Sequence, residues 1–128
     1  MSLVLAESPH SVAVTIDRLV ATLEDRGTTV FARVDHAGGA RDAGLELPDE
    51  ELLIFGDPRA GTLLMQSDAQ VGYELPLRVL AWEAEGRTLV GYRLPGDLVD
   101  RYGVGDRVEL LERMTATLEE LVAKITAR

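Results

Sequence analysis

No cysteine occurs in the 128 residues. That excludes a disulfide framework, a thiolate metal site and a cysteine nucleophile, and nothing here calls for an oxidising compartment. Basic residues are also scarce. Thirteen Lys and Arg face 22 Asp and Glu, for a formal charge of −9 and a pI near 4.6. Binding DNA or RNA usually needs a basic face that displaces counterions from the polyanion, so no nucleic-acid partner is expected. The same argument disfavours an anionic membrane surface. No apolar run approaches the ~20 residues that span a bilayer. The start, MSLVLAESPH, lacks the basic head and long apolar middle of a signal peptide. A cytoplasmic protein is expected, with no membrane partner.

What is present suits one globular domain over residues 1–128. Hydrophobic residues make up 46% of the chain and charged ones 27%, ordinary proportions for such a fold. Leu3-Val4-Leu5 suits a short strand, and Ser8-Pro9 suits a helix start, with serine as N-cap and proline at the first helical position. Val12, Ile16, Leu19, Val20 and Leu23 then share one helical stripe, and Gly27 is the expected left-handed stop.

The β-rich stretch Thr28–Asp35 predicts a strand, with Val30, Ala32 and Val34 on one side and Phe31, Arg33 and Asp35 on the other. A glycine- and charge-rich connection, His36–Glu50, carries at most one helical turn around Ala40–Ala43. Leu52–Phe55 is a second strand, followed by a short helix at Thr62–Gln66. Leu77–Glu83 and Arg87–Leu94 flank Glu85-Gly86 as a hairpin. A short helix is expected over Leu98–Tyr102. Asp106 then caps a long helix whose stripe is Val108, Leu111, Met114, Leu118, Leu121, Val122 and Ile125.

This order does not alternate strand and helix as a doubly wound sheet does. It predicts an α+β fold: a mostly antiparallel sheet of about four or five strands with two main helices on one face. Such a sheet normally has one apolar and one wet face. Here Leu52 and Ile54 point opposite to Leu53 and Phe55, while Leu77, Val79 and Ala81 point opposite to Leu80 and Trp82. Two helices cover one side only, so a second copy of the chain is expected to cover the other as a homodimer. The alternative is that flanking loops cover it.

One stretch, IFGDPRAGTLL from Ile54 to Leu64, resembles a phosphate-binding P-loop, G-x-x-x-x-G-K-[ST]. Gly56 and Gly61 have the right separation, but Thr62 occupies the lysine position and Pro58 removes a backbone donor. A triphosphate site is therefore not expected. Two readings remain open. The turn can offer backbone N–H groups to one small anion, helped by Arg59, or it is only a sharp exit from a buried strand.

The combination FARVDHAGGARDAGLEL, LLIFGDPRAGTLLM and ELPLRVLAWE resembles the bacterial family called domain of unknown function 302. His36, Ala37 and Ala40 match its first element. Phe55, Gly56, Pro58, Gly61, Thr62, Leu64 and Met65 match the second, and Leu75, Pro76 and Leu77 the third. Asp57 stands where that family typically has asparagine. The resemblance covers nearly the whole chain and implies a compact α+β domain, often dimeric, with no activity attached.

His36 follows a strand directly and can serve as a general base or ligand group. Its orienting carboxylate would come from Asp42, Glu46 or Asp57, since neighbouring Asp35 points away in an extended strand. No metal spacing links the two histidines, His10 and His36, and no cofactor is implied. Two functions follow. One is a homodimeric binding module using His36, Gly56, Asp57, Arg59, Gly61 and Thr62, for a partner or small anionic ligand. The other is a small hydrolase, lyase or isomerase with His36 as base and the Gly61 and Thr62 amides as anion hole. A His36–Thr62 separation beyond ~10 Å rules out one catalytic centre using both, because hydrogen-bonded contacts need ~3 Å each.

Overall fold

The computed structural model describes residues 3–128; Met1 and Ser2, which begin the N-terminal stretch read above, lie outside them. Five strands form one antiparallel sheet in the order β1-β5-β4-β3-β2. They are β1 Val4–Ser8, β2 Thr29–Asp35, β3 Glu50–Gly56, β4 Leu77–Ala84 and β5 Arg87–Tyr92. The α-helices are α1 Val12–Asp25, α2 His36–Asp42, α3 Pro58–Ser67 and α4 Val108–Ile125. The fold is α+β, as expected. Glu85 and Gly86 both take positive φ, 54° and 76°, the twist that a two-residue hairpin between right-twisted strands requires.

Helices α1 and α4 pack side by side on one sheet face. Ile16, Leu19 and Leu23 of α1 and Leu118, Leu121 and Ile125 of α4 interleave there with Leu53, Phe55, Val79 and Val90 of the sheet. A second, smaller cluster forms beyond the end of the sheet. In it Leu64 of α3, Val71, Leu98, Val104 and Leu111 of α4 are buried together. The two clusters do not merge.

Several boundaries differ from expectation. Helix α1 starts three residues later than Ser8-Pro9 suggested. Ser8 is still paired with Thr88 in the sheet, and Ser11 is the cap, its Oγ accepting from the Val14 N–H at 3.1 Å. Asp106 does not cap α4. It lies in a 3₁₀ turn, Gly105–Arg107, and accepts from the Ser67 hydroxyl at 3.0 Å. Val108, placed in the apolar stripe, is exposed. Helices α2 and α3 both begin earlier and run longer than expected, because Asp35 caps the Gly38 N–H and Asp57 the Arg59 N–H, each at 2.9 Å. The short helix expected at Leu98–Tyr102 is a 3₁₀ segment at Pro95–Asp100, and a further one, Ala69–Glu74, was not foreseen.

The alternation in β2 is interrupted. Val30 pairs with Phe55 but Ala32 pairs with Ile54, so Phe31 is an extra residue, a β-bulge. Beyond it Arg33 faces the helices, where it bonds Asp17 of α1 at 2.7 Å and Glu51 at 2.6 Å. Ala32 and Val34 therefore face opposite to Val30, not with it.

The sheet surface away from the helices is apolar along its middle. Leu5, Gly91, Leu80, Leu52 and Val34 form one cross-strand row. Trp82 and Leu89 stand beside it. Leu5 is 57% exposed and Val34 36%, while Leu80, Leu52 and Gly91 share a shallow hollow with Leu3, Tyr73 and Leu98.

Candidate functional site

The chain leaves β3 at Gly56, and Asp57 turns it at once into α3. Pro58 sits in the first turn of that helix, where its missing N–H costs nothing. A cavity of about 460 Å³ lies beneath this corner, at the junction of the two hydrophobic clusters. Phe31, Phe55 and Leu77 of the sheet and Leu23 of α1 form one wall. Met65, Leu75 and Pro76 form the wall toward α3. Helix α4 contributes Leu110, Met114, Leu118 and Leu121. The bulge explains Phe31: an extra residue in the strand re-aims its side chain onto the helical side, where it lines the hollow.

Four of the candidate residues line this cavity together, namely Gly56, Asp57, Gly61 and Thr62. Gly61 has room above it: a β-carbon there would lie 3.7 Å from Leu75 Cδ1 and 3.8 Å from Met65 Cε. The backbone does not offer a ready anion hole, however. The Gly61 N–H already donates to the Asp57 carbonyl at 3.1 Å, and the Thr62 hydroxyl donates to the Pro58 carbonyl at 2.7 Å. Arg59 is exposed on α3 and does not line the cavity.

His36 lies elsewhere. Gly56 is opposite Thr29 in the β2–β3 ladder, whereas Asp35 is opposite Glu51, so His36 begins α2 at the far end of those strands. Six residues of strand at ~3.3 Å each separate the two ends by roughly 20 Å. His36 is exposed. One catalytic centre using both its imidazole and the Gly61–Thr62 amides does not fit this geometry. His10, the other histidine, bonds the Ala127 carbonyl through Nε2 at 2.7 Å, which requires that nitrogen to donate.

Polar groups at the cavity that the sequence did not single out are Arg26, Thr28, Arg113 and Thr117. For the two on α4 the signal was present as a stripe, Leu110, Arg113, Met114, Thr117, Leu118 and Leu121 at three- and four-residue spacing. It was masked because it shares Met114, Leu118 and Leu121 with the core stripe. Among the described residues, no three or more His, Asp or Glu side chains come together as a metal cage.

The family model for domain of unknown function DUF302 matches residues 5–124. A crystal structure of an uncharacterized conserved protein DUF302 from Bacillus stearothermophilus superposes with a TM-score of 0.74 at 21% identity, covering 98% of this chain and 96% of that one. At that identity the likeness shows the fold. The Fluoride-specific ion channel FluC 1 of Brucella suis biovar 1 is 43% identical over 126 residues, which is 98% of this chain and 50% of that protein. Its counterpart in Brucella abortus biovar 1 is also 43% identical over 126 residues, 47% of its length. This chain thus spans about half the length of the curated relatives it matches, and among its described residues no helix is long and apolar enough to cross a membrane. Motifs, sheet and family match agree over nearly the whole length: the chain belongs to the DUF302 family.

Proposed function

We propose that this protein is a cytoplasmic, homodimeric binding module that holds a small, largely apolar molecule beneath the Gly56–Thr62 corner. The observation that carries the reading is the cavity itself. Its volume of about 460 Å³ falls within the range of ~300–1,000 Å³ usual for small-molecule sites, which are mostly apolar with a few placed polar groups. Residues of the first cluster (Leu23, Phe55, Leu118 and Leu121) and residues packed against the second (Leu75, Leu110 and Met114) line it, and the bulge brings Phe31 to its wall.

Self-association is the second part of the reading, supported by the apolar row on the open sheet face. Along the strands, the two ends of this face differ in charge. Arg78 flanks Ile54 at one end, and Glu50 flanks Trp82 at the other. A two-fold axis lying across the strands sets the arginine end of one copy against the acidic end of its partner, whereas an axis along the strands opposes arginine to arginine. The first arrangement is favoured. Fluoride permeation belongs to the name of the Brucella proteins, and the cavity described here offers no reason to transfer it.

N-phenyl-1-naphthylamine, a neutral apolar fluorophore, tests the binding reading. The expected result is enhanced emission with saturable binding, abolished by Gly61→Leu, which grows into the cavity, and unchanged by His36→Ala. Equal binding by wild type and Gly61→Leu, with Gly61→Leu as stable as wild type in urea, places the probe elsewhere and overturns the reading.

A further inference from the structure

We propose that the cavity's ligand is a single-tailed amphiphile with one anionic head, its apolar body within the leucine-lined interior and its carboxylate between Arg113 and Thr117. The inference rests on the binding reading above and adds the chemical class. Arg113 and Thr117 are one turn apart on α4, and they are the polar members of the stripe this helix presents to the cavity. They therefore adjoin each other at the rim, with Leu110, Met114, Leu118 and Leu121 around them.

The state of the two arginines decides between them. Arg26 is already engaged, its Nη2 lying 3.0 Å from Glu120. Arg113 makes no ion pair among the described residues, although Glu109 stands one turn before it. In a chain with nine more acidic than basic residues, a guanidinium without a carboxylate partner at the edge of an apolar hollow is charge left for a ligand. Guanidinium is also the side chain best shaped to take a carboxylate, through two parallel N–H donors.

The opposite rim sets the number of charges. Asp57 lines it, its Oδ1 turned to the Arg59 N–H. A second negative group at the far end of the ligand would be repelled by this exposed carboxylate. One head, on the α4 side, satisfies both rims.

Calorimetric titration with decanoate, 1-decanol and decyltrimethylammonium, each below its micelle-forming concentration, tests the class. Wild type is expected to bind decanoate most tightly. Arg113→Ala, at an exposed position, is expected to weaken decanoate by roughly 10- to 100-fold, as loss of a charge-assisted bond implies, and to leave decanol unchanged. Arg59→Ala is expected to alter neither. Equal affinity for decanoate and decanol, insensitive to Arg113→Ala, overturns the anionic head while the cavity reading stands. Preference for decyltrimethylammonium makes Asp57 the anchor and also overturns it. If none of the three binds, and the neutral naphthylamine fails as well, both readings fall together.

Discussion

The indole of Trp82 on β4 closes over Gly91 on β5. A β-carbon at Gly91 would come within 3.0 Å of Trp82 Cζ3 and 2.9 Å of Leu3 Cδ1. Gly91 is buried on the sheet face opposite α1 and α4, where the ring and Leu3 pack against it. Gly91→Ala is expected to push the indole aside and to cost about 1–3 kcal/mol, the usual range for overpacking. Urea unfolding measures the cost. The tryptophan emission maximum is expected to move in the same variant, because Trp82 is the only tryptophan.

The apolar row beneath that ring is the proposed dimer surface. Light scattering of the wild type is expected to give twice the chain mass of 13.9 kDa at micromolar concentration. Leu80→Glu, placing a charge in the centre of the row, is expected to give the mass of one chain without unfolding it. If the axis runs across the strands, Arg78→Glu also dissociates the dimer and the double variant Arg78→Glu with Glu50→Arg restores it. A wild-type mass of one chain, or a dimer indifferent to Leu80→Glu, defeats the proposed interface.

Strand β1 and helix α1 are joined by a directed chain of hydroxyls. The Thr15 hydroxyl donates to the Ser11 carbonyl at 2.8 Å, so in its 2.7 Å contact with Ser8 it must accept. Ser8 Oγ in turn accepts from the His10 N–H at 3.1 Å. Ser8 and Thr15 are both buried. Ser8→Ala leaves the His10 amide without its acceptor and is expected to cost about 1–3 kcal/mol by thermal or chemical unfolding. Thr15→Val is expected to be at least as costly, since it strands the Ser8 proton.

Glu7 and Arg87 tie the edge strand β1 to β5 through paired contacts of 2.8 and 3.1 Å. The guanidinium, by hydrogen bonding and then by charge, holds the Glu7 carboxyl below its ordinary value of 4.5. A carboxyl with a lower value in the folded state than in the unfolded one stabilises the fold above the ordinary carboxylate range. That contribution disappears as pH falls through the folded value. Glu7→Gln is therefore expected to flatten the fall in Tm between about pH 6 and about pH 3, most visibly at low salt, because the pair is solvent-exposed and screened. An unchanged slope contradicts the assignment.

Much of the fold was legible along the chain, and the reasons are local. The α1 stripe from Val12 to Leu23 and the hairpin at Glu85-Gly86 depend on periodicity and turn chemistry alone. Boundaries failed where a longer-range contact decided them. Ser8 has every local property of an N-cap, yet pairing with Thr88 keeps it in the sheet. Asp106 likewise is drawn to Ser67 across 39 positions. Of the candidate site, the Gly56–Thr62 portion was legible because glycine and proline mark a corner wherever it stands. His36 was joined to it on equal grounds of loop chemistry, and strand register separates the two.

By itself the sequence determined the class of fold, the apolar character of both sheet surfaces, the absence of thiol chemistry and the glycine corner after β3. Each of these is a property of residue types at short spacing, which no distant contact can reverse. Only the tertiary structure decided that an extra residue at Phe31 flips the rest of β2, that a hollow lies between the two hydrophobic clusters, and that Arg113 lines it with no carboxylate partner among the described residues. Those facts depend on which surfaces meet, and packing is settled by the whole chain at once.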